Sequence, residues 1–163
     1  MPNNFKTSPT GLALIRFAEG TDYHLYNDPA NNCTVGTGHL VHHGPISGDV
    51  SEMPFAHGCT VAQETDLLQR DVQYAEHAVN TMVLAPMTQN QFDAFVDFAF
   101  NEGTGRFQRS DLLRYFNAGN LSAVPAAFRS YVRINGVVNA GKDGKSGLVG
   151  RRNREIELFQ KAG

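Results

Sequence analysis

Tryptophan is missing from this 163-residue chain, cysteine occurs only twice, and no apolar run approaches the roughly 20 residues a membrane-spanning helix needs. Each shortage excludes something. Cys33 and Cys59 are too few for a disulfide framework, and a cytosolic origin favours free thiols. The opening MPNNFKTSPTG has neither a basic n-region nor an apolar h-region, so no secretory signal is expected. Positive charge is scarce early: residues 1–103 hold Lys6, Arg16 and Arg70 against twelve acids, whereas residues 104–163 hold eleven Lys and Arg against four acids. Two readings of that asymmetry stay open, a basic face for an anionic polymer or two lobes attracting one another. Nucleic acid is not expected, because no recognition motif accompanies the charge. What is present, 41% hydrophobic and 18% charged residues, is ordinary globular material able to bury a core. The length fits one domain, or two small lobes sharing a helix.

Ser8 followed by Pro9 reads as the cap and first turn of a helix carrying Leu12, Leu14, Ile15 and Ala18, with Gly20 as its stop. YHLYNDP and CTVGTG then read as extended runs divided by Pro29-Ala30-Asn31-Asn32, a hairpin. Residues 40–58, with Gly44-Pro45, Gly48 and Pro54, read as a long irregular loop with room for one more short strand. Thr60 with Gln63 makes a capping box, and Leu68, Val72, Ala75, Val79 and Met82 continue as an apolar stripe, predicting one long helix to about residue 83. Thr88 with Gln91 opens the next helix, whose FDAFVDFAF is apolar nearly all round and so central to a core. Shorter helices are predicted from Ser110 to Asn117 and from Leu121 to Val132, then a turn at Asn135-Gly136. A basic glycine-rich loop from Gly141 to Gly147 and a last helix from Leu148 to Phe159 complete the chain.

Chemistry concentrates in FAEGTDYHLYNDPANNCTVGTGH, where Glu19, Asp28 and Thr34 stand nine and six residues apart. Glycoside hydrolysis usually takes two carboxyl groups in unlike environments. Glu19 falls on the last turn of its helix, where the macrodipole disfavours a carboxylate, and Phe17 and Ala18 are expected to add desolvation; both effects suit a general acid. Asp28 falls in hairpin chemistry, where a carboxylate stays hydrated and ionised, the state wanted of a base or an electrostatic stabiliser. Thr34 could orient a water. Taken singly these are a helix-end Glu, a turn Asp and a strand Thr; together they form a constellation.

That constellation resembles the phage-type lysozymes, the endolysin muramidases of glycoside hydrolase family 24. Their pattern is Glu, eight residues, Asp, five residues, Thr, then a glycine-rich turn ending in Gly-His, and here it reads Glu19, Asp28, Thr34 and VGTGH. The likeness continues through LLQRDV at 67–72, TQNQFDAFVDFAFNEGTGRFQRSDLLRYFNAGN at 88–120 and SGLVGRRNREIELF at 146–159. It implies an α+β lysozyme-like fold in one domain. A β-hairpin lobe over about 20–58 and a linking helix over about 60–83 would join a helical lobe from 1–19 and 84–163, with a cleft between. It implies that Glu19 protonates the leaving oxygen between N-acetylmuramic acid and N-acetylglucosamine, while Asp28 and Thr34 act with a water on the opposite face. Arg151 falls where the family offers an arginine toward the acid, and His39 with Asp71 match a structural ion pair. Tyr131, standing near the place of a tryptophan common in relatives, is a candidate sugar platform with Phe100 and Phe107, though core packing suits the two Phe. Asn101 joins the expected substrate-binding residues. Two further departures from the family are the length of residues 40–58 and the lack of an overall basic charge.

His39, His42, His43, His57, Cys33 and Cys59 crowd the hairpin region, but their spacing matches no zinc pattern, so no bound metal and no cofactor are expected. The expected partner is the peptidoglycan glycan strand, met by a monomer without stable membrane insertion. It would be held in the host cytoplasm until a holin opens the way to the wall. Alternatives of the same scaffold are a wall-degrading effector delivered by a secretion system or phage tail, a lytic transglycosylase, and a non-catalytic glycan-binding domain.

Overall fold

Ser8 opens the first helix, α1 (Pro9–Glu19), its hydroxyl accepting from the Gly11 N–H at 3.3 Å; Gly20 closes it in a left-handed conformation (φ 78°). The structure, a computed structural model, describes residues 3–142 and 147–162 and divides into two compact units. The smaller comprises Ile15–Asp71, the larger Met1–Leu14 with Val72–Gly163.

In the smaller unit an antiparallel sheet runs in the order β1 (Asp22–Asn27), β2 (Cys33–Gly36), β3 (His39–His42). The register pairs Tyr26 with Thr34 and Asn27 with Cys33. All four residues of β2 are buried, since helix α2 (Val61–Asp71) packs over the strand. Gly36 permits that approach: its φ is 66°, and an added Cβ would lie 3.2 Å from Glu64 Cγ. The loop after β3 carries one 3-10 turn, Val50–Phe55. The capping box at Thr60 forms as predicted, with reciprocal bonds to Gln63 of 2.8 and 3.2 Å.

The larger unit holds α3 (Gln73–Met82), α4 (Gln89–Glu102), α5 (Thr104–Gln108), α6 (Asp111–Asn117) and α7 (Val124–Arg129), then a two-stranded ribbon of β4 (Arg133–Ile134) and β5 (Val137–Val138), and α8 (Leu148–Gln160). Helix α4 is buried from Phe92 to Ala99, as its all-round apolarity predicts. Phe95 is the hub, its ring centroid 5.1–6.1 Å from those of Phe107, Phe116, Phe128 and Phe159.

Four features depart from the sequence reading. The single helix over 60–83 is two, α2 and α3, which meet at Val72, where ψ opens to −10°. The helix from Leu121 to Val132 is a 3-10 turn followed by α7, which ends at Arg129. Asn135-Gly136, with φ of 50° and 80°, is a turn as predicted, but it joins two strands, β4 and β5, that the sequence reading did not foresee, and α5 lies in a glycine-flanked stretch with no helix signal. Residues 143–146 of the predicted basic loop lie outside the described residues.

Candidate functional site

Asp28 is built into the β1–β2 turn by the backbone itself. Its Oδ1 accepts from the N–H groups of Ala30 and Asn32, both at 2.8 Å, and its Oδ2 from the Asn32 side chain at 3.3 Å. Its own N–H donates to the Asn32 carbonyl at 2.9 Å, and Asn31 completes the turn at φ 63°. These donors favour the charged form, Asn32 first, and hold the Asp28 carboxyl below its ordinary value. The turn thus presents an ionised carboxylate, the environment its sequence suggested.

Glu19 ends α1 at an exposed position. The expected apolar shielding is not there: Phe17 turns outward, 68% exposed, because the buried stripe of α1 passes through Leu12 and Ile15. Thr34 is 2% exposed on β2, and its hydroxyl donates to the Asn32 carbonyl at 3.1 Å, the residue that also grips Asp28. Toward a water, Thr34 Oγ1 is therefore an acceptor. Tyr26 is the Cα partner of Thr34 across the ladder. Burial chiefly raises its phenol pKa, opposed by the Gly38 N–H and reinforced by nearby negative charge, that of Asp22 first.

A second set of bonds fixes the frame. Glu64 of α2, 1% exposed, receives Arg16 Nε at 3.0 Å on each oxygen and the Arg16 Nη2 at 2.7 Å. Thr37, after β2, donates to the same carboxylate at 2.6 Å, and Thr21 donates in turn to Thr37 at 2.8 Å. Burial opposes the charge on Glu64, but Arg16 and Thr37 outweigh it and hold the carboxyl below its usual range. The last turn of α1, the β2–β3 connection and α2 thus meet at one carboxylate. His39 Nδ1 stands 2.9 and 3.1 Å from the Asp71 oxygens, joining β3 to the end of α2. Sequence reasoning passed over Tyr26, Arg16, Thr37 and Glu64. For Tyr26 the period-two alternation opposite Thr34 was a usable signal, whereas Glu64 sits in a polar run that reads as solvent-facing.

The other sequence candidates lie in the larger unit. Arg151 is buried and grips Asp97 with Nε at 3.0 Å and Nη2 at 2.7 Å. Its neighbour Arg152, fully buried over the Phe98 ring, donates to Asn101 Oδ1 at 2.7 Å and lies 3.4 Å from Glu102 and 2.8 Å from Glu155. Burial works against the charge on Asp97, but the two arginines hold its carboxyl below the usual range; burial and the Asp97 charge push Glu155 well above it, despite Arg152. Part of the basic C-terminal excess is therefore spent on acids of α4 inside one unit. Tyr131 stands edge-on to Phe98 at 4.9 Å, half-buried, and burial raises its phenol. The Phe100 carbonyl accepts from the Tyr74 hydroxyl at 3.1 Å, and Phe107 belongs to the core. Among the described residues, one set of three side chains could hold a metal: Cys33, His42 and Glu52.

A family described as phage lysozyme matches residues 16–155. The chain is 34% identical over 154 residues to the endolysin of Salmonella phage P22, covering 93% of this chain and 96% of that one. It is 36% identical to the endolysin of Bacillus phage PZA, covering 93% of this chain and 54% of that longer protein. Among solved structures, the muramidase domain of SpmX from Asticaccaulis excentricus superimposes with a TM-score of 0.77 at 30% identity, covering 98% of this chain and 100% of that one.

Proposed function

We propose, for a chain that belongs to the phage lysozyme family and is a muramidase-type glycoside hydrolase acting on peptidoglycan, that Glu19, Asp28 and Thr34 carry its chemistry. The bond broken joins N-acetylmuramic acid to N-acetylglucosamine. Glu19 gives its proton to the glycosidic oxygen as the bond to the anomeric carbon breaks. Asp28, anionic throughout the approach, opposes the positive charge developing on the ring. A water accepted on Thr34 Oγ1 attacks that carbon and passes its proton to Asp28, leaving a reducing end of inverted configuration.

The supporting observation is the donor set on Asp28. Two backbone N–H groups occupy one oxygen and leave the other only a 3.3 Å bond, so that oxygen is available to a water. A carboxylate held below its ordinary pKa is a weak base but a durable counter-charge, and so its larger contribution is electrostatic. Tyr131, Asn101, Phe100 and Arg151 belong to the same proposal as substrate contacts, with His39 and Asp71 as a frame rather than reactants.

Turnover of purified sacculi by wild type, Glu19→Gln and Asp28→Asn, with mass analysis of the released muropeptides, tests this reading. Losing the acid is expected to lower the rate on the order of a hundredfold or more. Full activity in Glu19→Gln would sink the mechanism, and anhydro-muramic ends would assign a lytic transglycosylase instead. Among the described residues no helix is long and apolar enough to cross a membrane. The proposal extends to a monomer that waits in the host cytoplasm and reaches the wall through a separate holin lesion; lysis on induction without any holin would contradict that step.

A further inference from the structure

Cys33 of β2, His42 of β3 and Glu52 of the 3-10 turn come from three segments, yet their donor atoms all lie within 4.8 Å of one another. Cys33 and His42 are Cα partners across the β2–β3 ladder, and the register shifts beside them, between Cys33 and Thr34. Such an irregularity re-aims side chains locally. Both nitrogens of His42 face oxygen acceptors: Nδ1 lies 3.0 Å from the His43 carbonyl and Nε2 lies 2.8 Å from Glu52 Oε1. An imidazolium serves both acceptors, and a metal ion on Nε2 would take the place of the proton shared with Glu52. Metal-bound histidines show this division, one nitrogen on the metal and the other N–H on a backbone carbonyl.

The carboxylate is oriented as well. Glu52 receives the Ser47 N–H at 2.7 Å on Oε1 and the Gly48 N–H at 2.9 Å on Oε2. The third donor, Cys33 sulfur, is fully buried. A sulfur, an imidazole nitrogen and a carboxylate oxygen form a donor set of the kind zinc takes, with a tetrahedral fourth position for water. At bonds of about 2.0–2.3 Å, tetrahedral donors stand roughly 3.3–3.6 Å apart, so Nε2 and Oε1, 2.8 Å apart here, would part by about half an ångström, and the sulfur, within 4.8 Å of both, would settle around the same ion.

We propose that Cys33, His42 and Glu52 form a structural zinc site that staples the long loop after β3 to the hairpin. The loop's ties to the hairpin include the hydrogen bonds of Cys33 N–H to the Gly44 carbonyl at 2.7 Å, Gly44 N–H to Asn32 Oδ1 at 3.2 Å, Ile46 N–H to Asn27 Oδ1 at 2.8 Å and, at the loop's far end, Cys59 N–H to the Tyr23 carbonyl at 2.7 Å. Asn32 grips Asp28, so the staple also steadies the turn that presents that carboxylate. Residues 40–58, longer than the hairpin lobe of the family, acquire a reason to be ordered. The ion takes no part in bond cleavage, and the site stands independently of the roles assigned to Glu19 and Asp28.

The test uses untagged, metal-stripped protein titrated with Zn²⁺, and with Co²⁺ as a spectroscopic probe. One equivalent per chain is expected to bind, with a thiolate-to-cobalt charge-transfer band in the near ultraviolet and a rise of several degrees in Tm with zinc. Cys33→Ser and Cys33→Ala should each lose the band and the Tm rise, whereas Cys59→Ser, which removes the other thiol, should keep both. His42→Gln should weaken zinc at least tenfold, in the range expected for loss of a ligand or its support. No stoichiometric binding, a band surviving both Cys33 variants, or a band lost in Cys59→Ser would each overturn the proposal. Binding that leaves Tm unchanged would overturn the stapling role.

Discussion

The two units are held together by different physics. The larger, among the described residues, holds twenty-two of the buried apolar side chains, six of them on α4, with six phenylalanines below 1% exposure. In the smaller, the buried apolar residues are Ile15, Cys33, Val35, Cys59 and Leu68, and geometry comes from directional bonds: the backbone grip on Asp28, the Arg16–Glu64–Thr37 cluster and the His39–Asp71 pair. Dispersion and burial give stability but little angular preference, whereas hydrogen bonds to carboxylates fix positions. The division suits a hydrolase whose candidate acid and counter-ion both lie in the smaller unit, because reacting groups need placement within a fraction of an ångström.

Phe95→Ala gives the largest expected break in that contrast. It removes the ring packed against four others, and truncating a buried Phe costs about 3–5 kcal/mol. At roughly 2–4 °C per kcal/mol for a chain of this size, Tm should drop by about 10 °C or more. Urea unfolding of the variant measures this, and a loss below about 1 kcal/mol would show that the Phe cluster does not hold the larger unit.

The apolar half of this picture was legible from residues alone. FDAFVDFAF has no polar face, so α4 had to be central, and the capping boxes at Thr60 and Thr88 set helix starts that the structure reproduces. The turn at Asp28 was legible too, since Asx and Pro residues write their conformations locally. Positions that depend on distant partners were not. Glu64 and Arg152 look like surface charges until Arg16 and Asn101 are brought to them by the fold. Phe17 looked like a shield for Glu19, but helical phase turns it outward, and one residue of drift in the buried stripe decides such matters. Glu52 never entered the count of metal donors, because nothing in its neighbourhood signals that Ser47 and Gly48 aim it at His42.

Glu64→Gln sharpens the contrast from the polar side. Removing one partner of a buried ion pair costs about 3–5 kcal/mol; here the Arg16 side chain keeps 27% exposure and glutamine retains an acceptor for Thr37, so about 2 kcal/mol is expected near pH 7. The sign with pH follows from the lowered carboxyl of Glu64. A group whose folded pKa is depressed contributes stability that is fully present above its unfolded value, about 4.3, and is lost as pH falls through the folded value. The gap between wild type and Glu64→Gln should therefore be constant above about pH 5 and shrink toward zero below it. A gap that widens on acidification would remove the ion pair from the account of this unit.

Asp71→Asn carries the smallest effect and the most discriminating one. Asp71 is the last residue of α2, where the macrodipole repels a carboxylate, and His39 Nδ1 stands against it at 2.9 Å. Both side chains are about a quarter to a third exposed, so solvent screens the pair and its value is about 1 kcal/mol or less. Replacing Asp71 by asparagine removes the contact and the dipole repulsion together, and the two changes oppose one another. The lost contact is the larger, and Tm should fall by about a degree or two. Muramidase activity on sacculi should stay within about twofold, because the pair joins β3 to α2 and leaves the Asp28 turn intact. An unchanged melting temperature would leave the His39–Asp71 contact without a structural role, while a large loss of turnover at unchanged Tm would move it from the frame into the reacting site.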